Sequence, residues 1–165
     1  MQPWQALGGV GAGRTATVVI VAFVAVLIAA GCRPEKPVKK PVVVAAGDIA
    51  DCSGTGDEAT AKLVGGIDGT VLTLGDVAYP EGSAEDFEEC YEPTWGRFEG
   101  RTKPTPGNHE YYTEEAEGYF DYFGKAAGDP DEGYYSYDLG EWHLVALNSN
   151  CNEVGGCGAY SPQLS

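Results

Sequence analysis

Two apolar runs in this chain end in the same dipeptide. VVVAAGD closes on Gly47-Asp48, and GTVLTLGD closes on Gly75-Asp76. β-branched and aliphatic runs of this length, stopped by glycine, predict buried strands. The glycine lets the backbone turn sharply where the strand ends, and the aspartate follows at the turn. Between the runs lies GDEATAKLV (56–64), polar first and then apolar at helical intervals, which predicts a short helix. A strand–helix–strand unit joins parallel neighbours, so both carboxylates arrive at the same sheet edge. In open α/β sheets that edge is where ligands bind. The recurrence, with the helix between the two runs, points to an α/β fold with an acidic strand-end site.

The remaining segments extend the same plan. SAEDFEECYEPTWGRF is helical in pattern until Pro93, and RTKPTP reads as a short third strand or extended segment leading into Gly107-Asn108-His109. TEEAEGYFDYFGK predicts a helix with Thr113 as its N-cap and acidic residues in its first turn. GYYSYDLGEWHLVALNSN alternates as two strands around a turn near Leu139-Gly140-Glu141. The expected order is β-α-β-α-β-α-β-β in one domain, from Val42 to Ser165, a size that suits the 165-residue chain.

Charge excludes one class of partner. From Val42 onward 24 Asp and Glu stand against five Lys and Arg. Such a surface repels phosphate backbones, so no nucleic-acid binding is expected. Before Val42 the balance reverses. Arg33–Pro41, RPEKPVKKP, is basic and proline-rich and reads as an extended tether. Upstream of it, Thr15–Ala30 is uncharged and apolar. A span of about 20 residues is needed to cross a bilayer comfortably, so this run fits a signal h-region better than a permanent helix. Ala29-Ala30-Gly31-Cys32 resembles the lipobox of bacterial lipoproteins, with Ala29 where leucine is usual. That resemblance implies cleavage and lipidation at Cys32, so residues 1–32 are expected to be a lipoprotein-type signal peptide; an uncleaved anchor or a plain secretory signal are the alternatives. In each case the domain is exported, as a membrane-tethered or secreted protein.

The cysteines agree with export. With Cys32 set aside, Cys52, Cys90, Cys151 and Cys157 remain, an even number suited to an oxidising compartment. CNEVGGC closes a small glycine-rich loop, so Cys151–Cys157 is the local bridge and Cys52–Cys90 follows by elimination. Zinc is the competing reading, but neither pair has CxxC spacing and no histidine is near in sequence.

Asp48, Asp76 and Asn108 each follow an extended segment, and their hard oxygen donors suit divalent or trivalent cations. Tyr79, three residues after Asp76, can turn its phenol to the same place. GDIA, GDVAY and GNHE, in this order, resemble the first three blocks of the calcineurin-like metallophosphoesterases; GDVAY resembles the purple-acid-phosphatase-like branch in particular, and WHLVALNSN is similar to that branch's strand after the third block. The resemblance covers most of 42–150. It implies an αββα sandwich whose first sheet is mostly parallel, and a dinuclear centre hydrolysing phosphoesters with a water nucleophile. It further implies that Asp48 and Tyr79 hold a first metal, typically iron(III). Asp76 would bridge both ions, and Asn108 would hold a second, typically zinc, manganese or iron(II). His109 would contact the substrate phosphate rather than a metal. Glu110 is expected to stand behind His109 and orient it, or else to be a solvated loop carboxylate.

One part of the pattern is missing. The family completes its site with a later histidine block and a Gly-His-x-His block, whereas the sole histidine after His109 is His143. The pattern of WHLVALNSN puts His143 on a strand in a structural or surface role. The chain accordingly reads as the N-terminal half of such an enzyme: a truncated product, a fragment or a degenerate paralogue. A non-catalytic surface lipoprotein or binding module derived from that fold is the alternative function.

Overall fold

The computed structural model describes residues 40–164. Cys32, the apolar run before it and most of the tether lie outside the described residues. Among the described residues no helix is long and apolar enough to cross a membrane.

Three strands form a parallel sheet in the order β1-β2-β3: β1 is Val43–Ala46, β2 is Thr70–Thr73 and β3 is Thr102–Lys103. Helix α1, Gly56–Gly65, connects the first two strands. Val43 pairs with Thr70 and Ala46 with Thr73, so the two strands end together. Strand β2 is central and alternates: Val71 and Thr73 are fully buried, whereas Leu74 on the opposite face is 61% exposed. Only one face of the sheet carries the core. Ala61 and Val64 of α1 join Trp95 and Phe98 in that core. The five cations of the domain are scarce, and one of them closes α1. The guanidinium of Arg101 donates to the carbonyls of Val64, Ile67 and Gly69, the last at 2.5 Å. Cations at a helix C-terminus complement its dipole, by about 0.3–1 kcal/mol at the surface.

After β2 the chain builds an aromatic layer. Ser83 caps α2, Ala84–Asp86, in a reciprocal box with Asp86, and a single π-helical turn, Phe87–Tyr91, follows. Such a cap is typically worth about 1 kcal/mol. Phe87 stacks on Tyr122 at 4.9 Å, and Tyr91 meets Phe123 edge-on at 5.6 Å. Both partners lie on α3, Glu117–Phe123. This helix starts later than Thr113 would place it. The Thr113 hydroxyl donates to the Glu110 carbonyl instead of capping, and Glu115 and Ala116 take left-handed backbone angles that break the segment into a 3-10 turn and the helix proper.

The last two strands, β4 (Tyr135–Leu139) and β5 (Trp142–Ala146), form the expected antiparallel hairpin as a separate two-stranded sheet. Two disulfides are present, Cys52–Cys90 and Cys151–Cys157, with Cα separations of 5.1 and 5.0 Å. The first ties the loop after β1 to the π-helical turn, and the second closes the CNEVGGC loop.

Candidate metal centre

Beyond their last paired residues, β1 and β2 continue side by side. The N–H groups of Asp48, Ile49 and Ala50 donate to the carbonyls of Gly75, Asp76 and Val77 at 3.0–3.2 Å, and Tyr79 N–H returns to the Ala50 carbonyl at 2.8 Å. A parallel bridge between Ala50 and Ala78 ends this extension. Ile49, Ala50, Val77 and Ala78 are all buried. Each aspartate is thus placed between a glycine and an apolar pair that enters the core. Both aspartates adopt φ of 51°, the left-handed region that non-glycine residues seldom occupy. Such a conformation costs of order 1–3 kcal/mol and concentrates at functional sites.

The side chains converge. Tyr79 donates its hydroxyl to Oδ1 of Asp48 at 2.5 Å and lies 3.5 Å from Oδ2 of Asp76. Burial, then the Asp48 hydrogen bond and the Asp76 charge, hold the Tyr79 phenol well above its usual range. Phenol and carboxylates therefore share one proton-bearing contact at the strand ends.

The loop after β3 comes in against Asp76. The Thr105 N–H donates to the Thr73 carbonyl at 3.1 Å, and the His109 N–H donates to Oδ1 of Asp76 at 3.0 Å. Gly107 packs so tightly on Asp76 that a Cβ there would collide with the Asp76 backbone nitrogen and its carboxylate. Asn108, between these two contacts, is exposed at the same edge. Its amide nitrogen donates to the Tyr112 hydroxyl at 3.4 Å.

The His109 ring is fixed from three sides. Its Nδ1 lies 2.6 Å from the Pro80 carbonyl, which can only accept, so Nδ1 carries the proton and Nε2 is the free nitrogen. Tyr79 and Tyr112 flank the ring at centroid distances of 4.4 and 4.8 Å. Tyr112 and Pro80 were not among the sequence candidates. The signal for Tyr112 was its spacing, since a turn of 3-10 helix over Glu110–Tyr112 brings it back over His109.

Glu110 is not a solvated loop carboxylate: it is 0% exposed. Its oxygens accept from the backbone N–H groups of Asp76, Val77, Ala78 and Gly107 at 2.6–3.3 Å. Burial pushes its carboxyl up, and the hydrogen bonds from Gly107, Val77 and Ala78 pull the other way. The orientation of the imidazole comes from Pro80 and the two tyrosines, while Glu110 holds backbone.

His143 stands on β5, exposed, with Nδ1 2.8 Å from Asp138 on the facing strand. Among the described residues no three His, Cys, Asp or Glu side chains gather as a metal cage. What gathers is two carboxylates and a phenol, with a carboxamide on the adjoining loop. This set is composed of hard oxygen donors, and its chemistry fits a small, highly charged cation rather than a soft one. No protein-family model, curated protein or solved structure matches this chain.

Proposed function

We propose that the domain is a metal-dependent phosphoester hydrolase of the calcineurin-like, purple-acid-phosphatase-like kind, its α/β unit corresponding to the first sheet-and-helix layer of the αββα sandwich. The observation that carries this reading is the convergence of Tyr79 on Asp48 and Asp76, with the His109 loop bonded to the same Asp76. Asp48 and Tyr79 would hold a first ion, iron(III), Asp76 would be shared, and Asn108 would take a second, divalent ion (zinc, manganese or iron). Such a pair supplies Lewis acidity for activating water and neutralises phosphate oxygens.

The chain's own residues supply the rest. The Pro80 carbonyl holds the His109 ring through Nδ1–H, so neutral Nε2 can accept a hydrogen bond, and the doubly protonated ring can donate its Nε2 proton to a phosphate oxygen or to the leaving group. Tyr79 and Tyr112 on its flanks restrict the ring to that orientation. The exposed acidic surface disfavours polyanionic nucleic acid as a substrate, which points to small phosphoesters. The N-terminal region supports export and tethering at a membrane through Cys32 or an anchor helix.

A second reading is supported by His143, which pairs with Asp138 on the hairpin, so that among the described residues the candidate ligands for two ions are Asp48, Asp76, Tyr79 and Asn108. In that case the domain is a non-catalytic surface module. Hydrolysis of para-nitrophenyl phosphate by the full chain, supplied with iron, zinc or manganese, separates the two. The enzyme reading expects metal-dependent turnover that drops at least about 100-fold in both Asp76→Ala and His109→Ala. Absence of turnover at every metal load selects the non-catalytic module.

A further inference from the structure

Of the three loops that carry the donors of the strand-end site, two are fastened to one side chain that touches neither substrate nor metal in the proposed chemistry. Glu110 divides its two oxygens between four backbone donors. Oε1 takes Val77 N–H at 2.7 Å and Ala78 N–H at 3.3 Å, while Oε2 takes Gly107 N–H at 2.6 Å and Asp76 N–H at 3.0 Å. Three of those donors belong to the loop after β2 and one to the loop after β3. The link is returned in the other direction, because the Asp76 carboxylate accepts from His109 N–H at 3.0 Å. Each loop thus sends a carboxylate to the other's backbone.

The surroundings are shaped to admit this carboxylate. A Cβ on Gly82, whose φ is +62°, would stand 2.6 Å from the Glu110 Cα. A Cβ on Gly75, at φ +90°, would stand 2.8 Å from the Gly107 Cα. The loops therefore meet backbone to backbone, and small residues surround the clamp on both sides. The Glu110 side chain is closed off from bulk solvent, so loss of its carboxylate leaves four backbone donors without that partner.

We propose that Glu110 is a positioning residue: its buried carboxylate locks the Asp76 loop to the Gly107–His109 loop and so sets the spacing between Asp76 and Asn108. The inference rests on the metal-site reading for its purpose, but not for its geometry. Glutamine cannot replace it. Whichever way the amide is turned, its NH2 group faces two of the backbone N–H donors.

The test uses the full chain and two readouts. In Glu110→Gln, amide hydrogen exchange at Val77 or Gly107 is expected to accelerate at least about 10-fold, with Val71 in the sheet unchanged. Titration with Mn2+ alone is expected to show at least about 10-fold weaker binding, as outer partners of metal ligands typically contribute. Unchanged exchange at Val77 and Gly107 overturns the clamp, and faster exchange with unchanged Mn2+ affinity overturns its positioning role. Should Glu110→Gln fail to fold, the same pair of readouts is taken in Glu110→Asp, which keeps the charge but is one methylene short. In the unsubstituted chain, scalar couplings across the hydrogen bonds from the Val77 and Gly107 amide nitrogens to the Glu110 carboxyl carbon must be present; their absence overturns the clamp. A wild-type chain that takes up no Mn2+ defeats the metal reading itself, and the exchange data then still judge whether Glu110 joins the loops.

Discussion

The Tyr79 hydroxyl donates to Asp48 across the strand ends at 2.5 Å, joining two residues 31 positions apart. The phenol is held protonated by burial and by the two carboxylates, so only a strongly acidic cation can turn it into a phenolate ligand. Loading the full chain with iron(III) is expected to produce a visible absorption band from phenolate-to-iron charge transfer. Tyr79→Phe should retain the fold and lose that band. An iron-loaded wild type without visible colour would remove Tyr79 from the ligand set.

Gly107 is expected to tolerate no side chain, and for a steric reason rather than a conformational one. Its added Cβ would enter the space held by the Asp76 nitrogen and carboxylate, which are backbone and cross-loop groups that cannot swing aside. Gly107→Ala should therefore destabilise the domain by about 1–3 kcal/mol, the usual cost of overpacking, by forcing the two loops apart. Urea denaturation of the variant beside the wild type measures this. A change within about 0.5 kcal/mol would mean that the loops separate freely.

The Cys52–Cys90 bridge spans a sequence separation of 38, a segment that includes Asp76 and Tyr79. Chain-entropy arguments put its contribution at about 3–4 kcal/mol. Cys52→Ala/Cys90→Ala should lose about that much stability. The Cys151–Cys157 bridge, spanning six residues, should matter less when removed in the same way. Equal losses for the two pairs would contradict the loop-length account.

Alkaline titration should be governed by the aromatic layer. Burial holds the phenols of Tyr91 and Tyr119 well above their ordinary value of about 10. Above that value the unfolded chain releases their protons while the folded chain keeps them. Stability is therefore full below about pH 10 and falls as pH rises toward the folded-state values. In ultraviolet titration, these two tyrosines should ionise together with unfolding. Reversible ionisation of both, with near-ultraviolet circular dichroism intact, would show the layer to be open to solvent.

Much of the site was legible because its signals are local. Gly47-Asp48 and Gly75-Asp76 follow apolar, β-branched runs, and such a run stopped by a glycine needs no tertiary knowledge to be recognised. The order of helices and strands followed from the same periodicities, and the short spacing of Cys151 and Cys157 indicated their bridge. Thr113 misled for the opposite reason. Its sequence context suits an N-cap, but the Glu110 carbonyl is closer to hand, and the left-handed turn at Glu115 and Ala116 delays the helix.

The amino-acid sequence by itself therefore determined which residue types stand at the strand ends, because periodicity and turn chemistry act over a few neighbours. Tertiary structure alone decided what those residues do to one another. The role of Glu110 depends on N–H groups 32 to 34 positions away, and the imidazole tautomer of His109 depends on a carbonyl 29 positions away. Neither follows from local pattern, since both require two loops to approach until their glycines touch. Val77 and Ala78 root the first loop in the core, and the bonds from Thr105 to Thr73 and between Glu110 and the Asp76–Ala78 backbone draw the second loop against it.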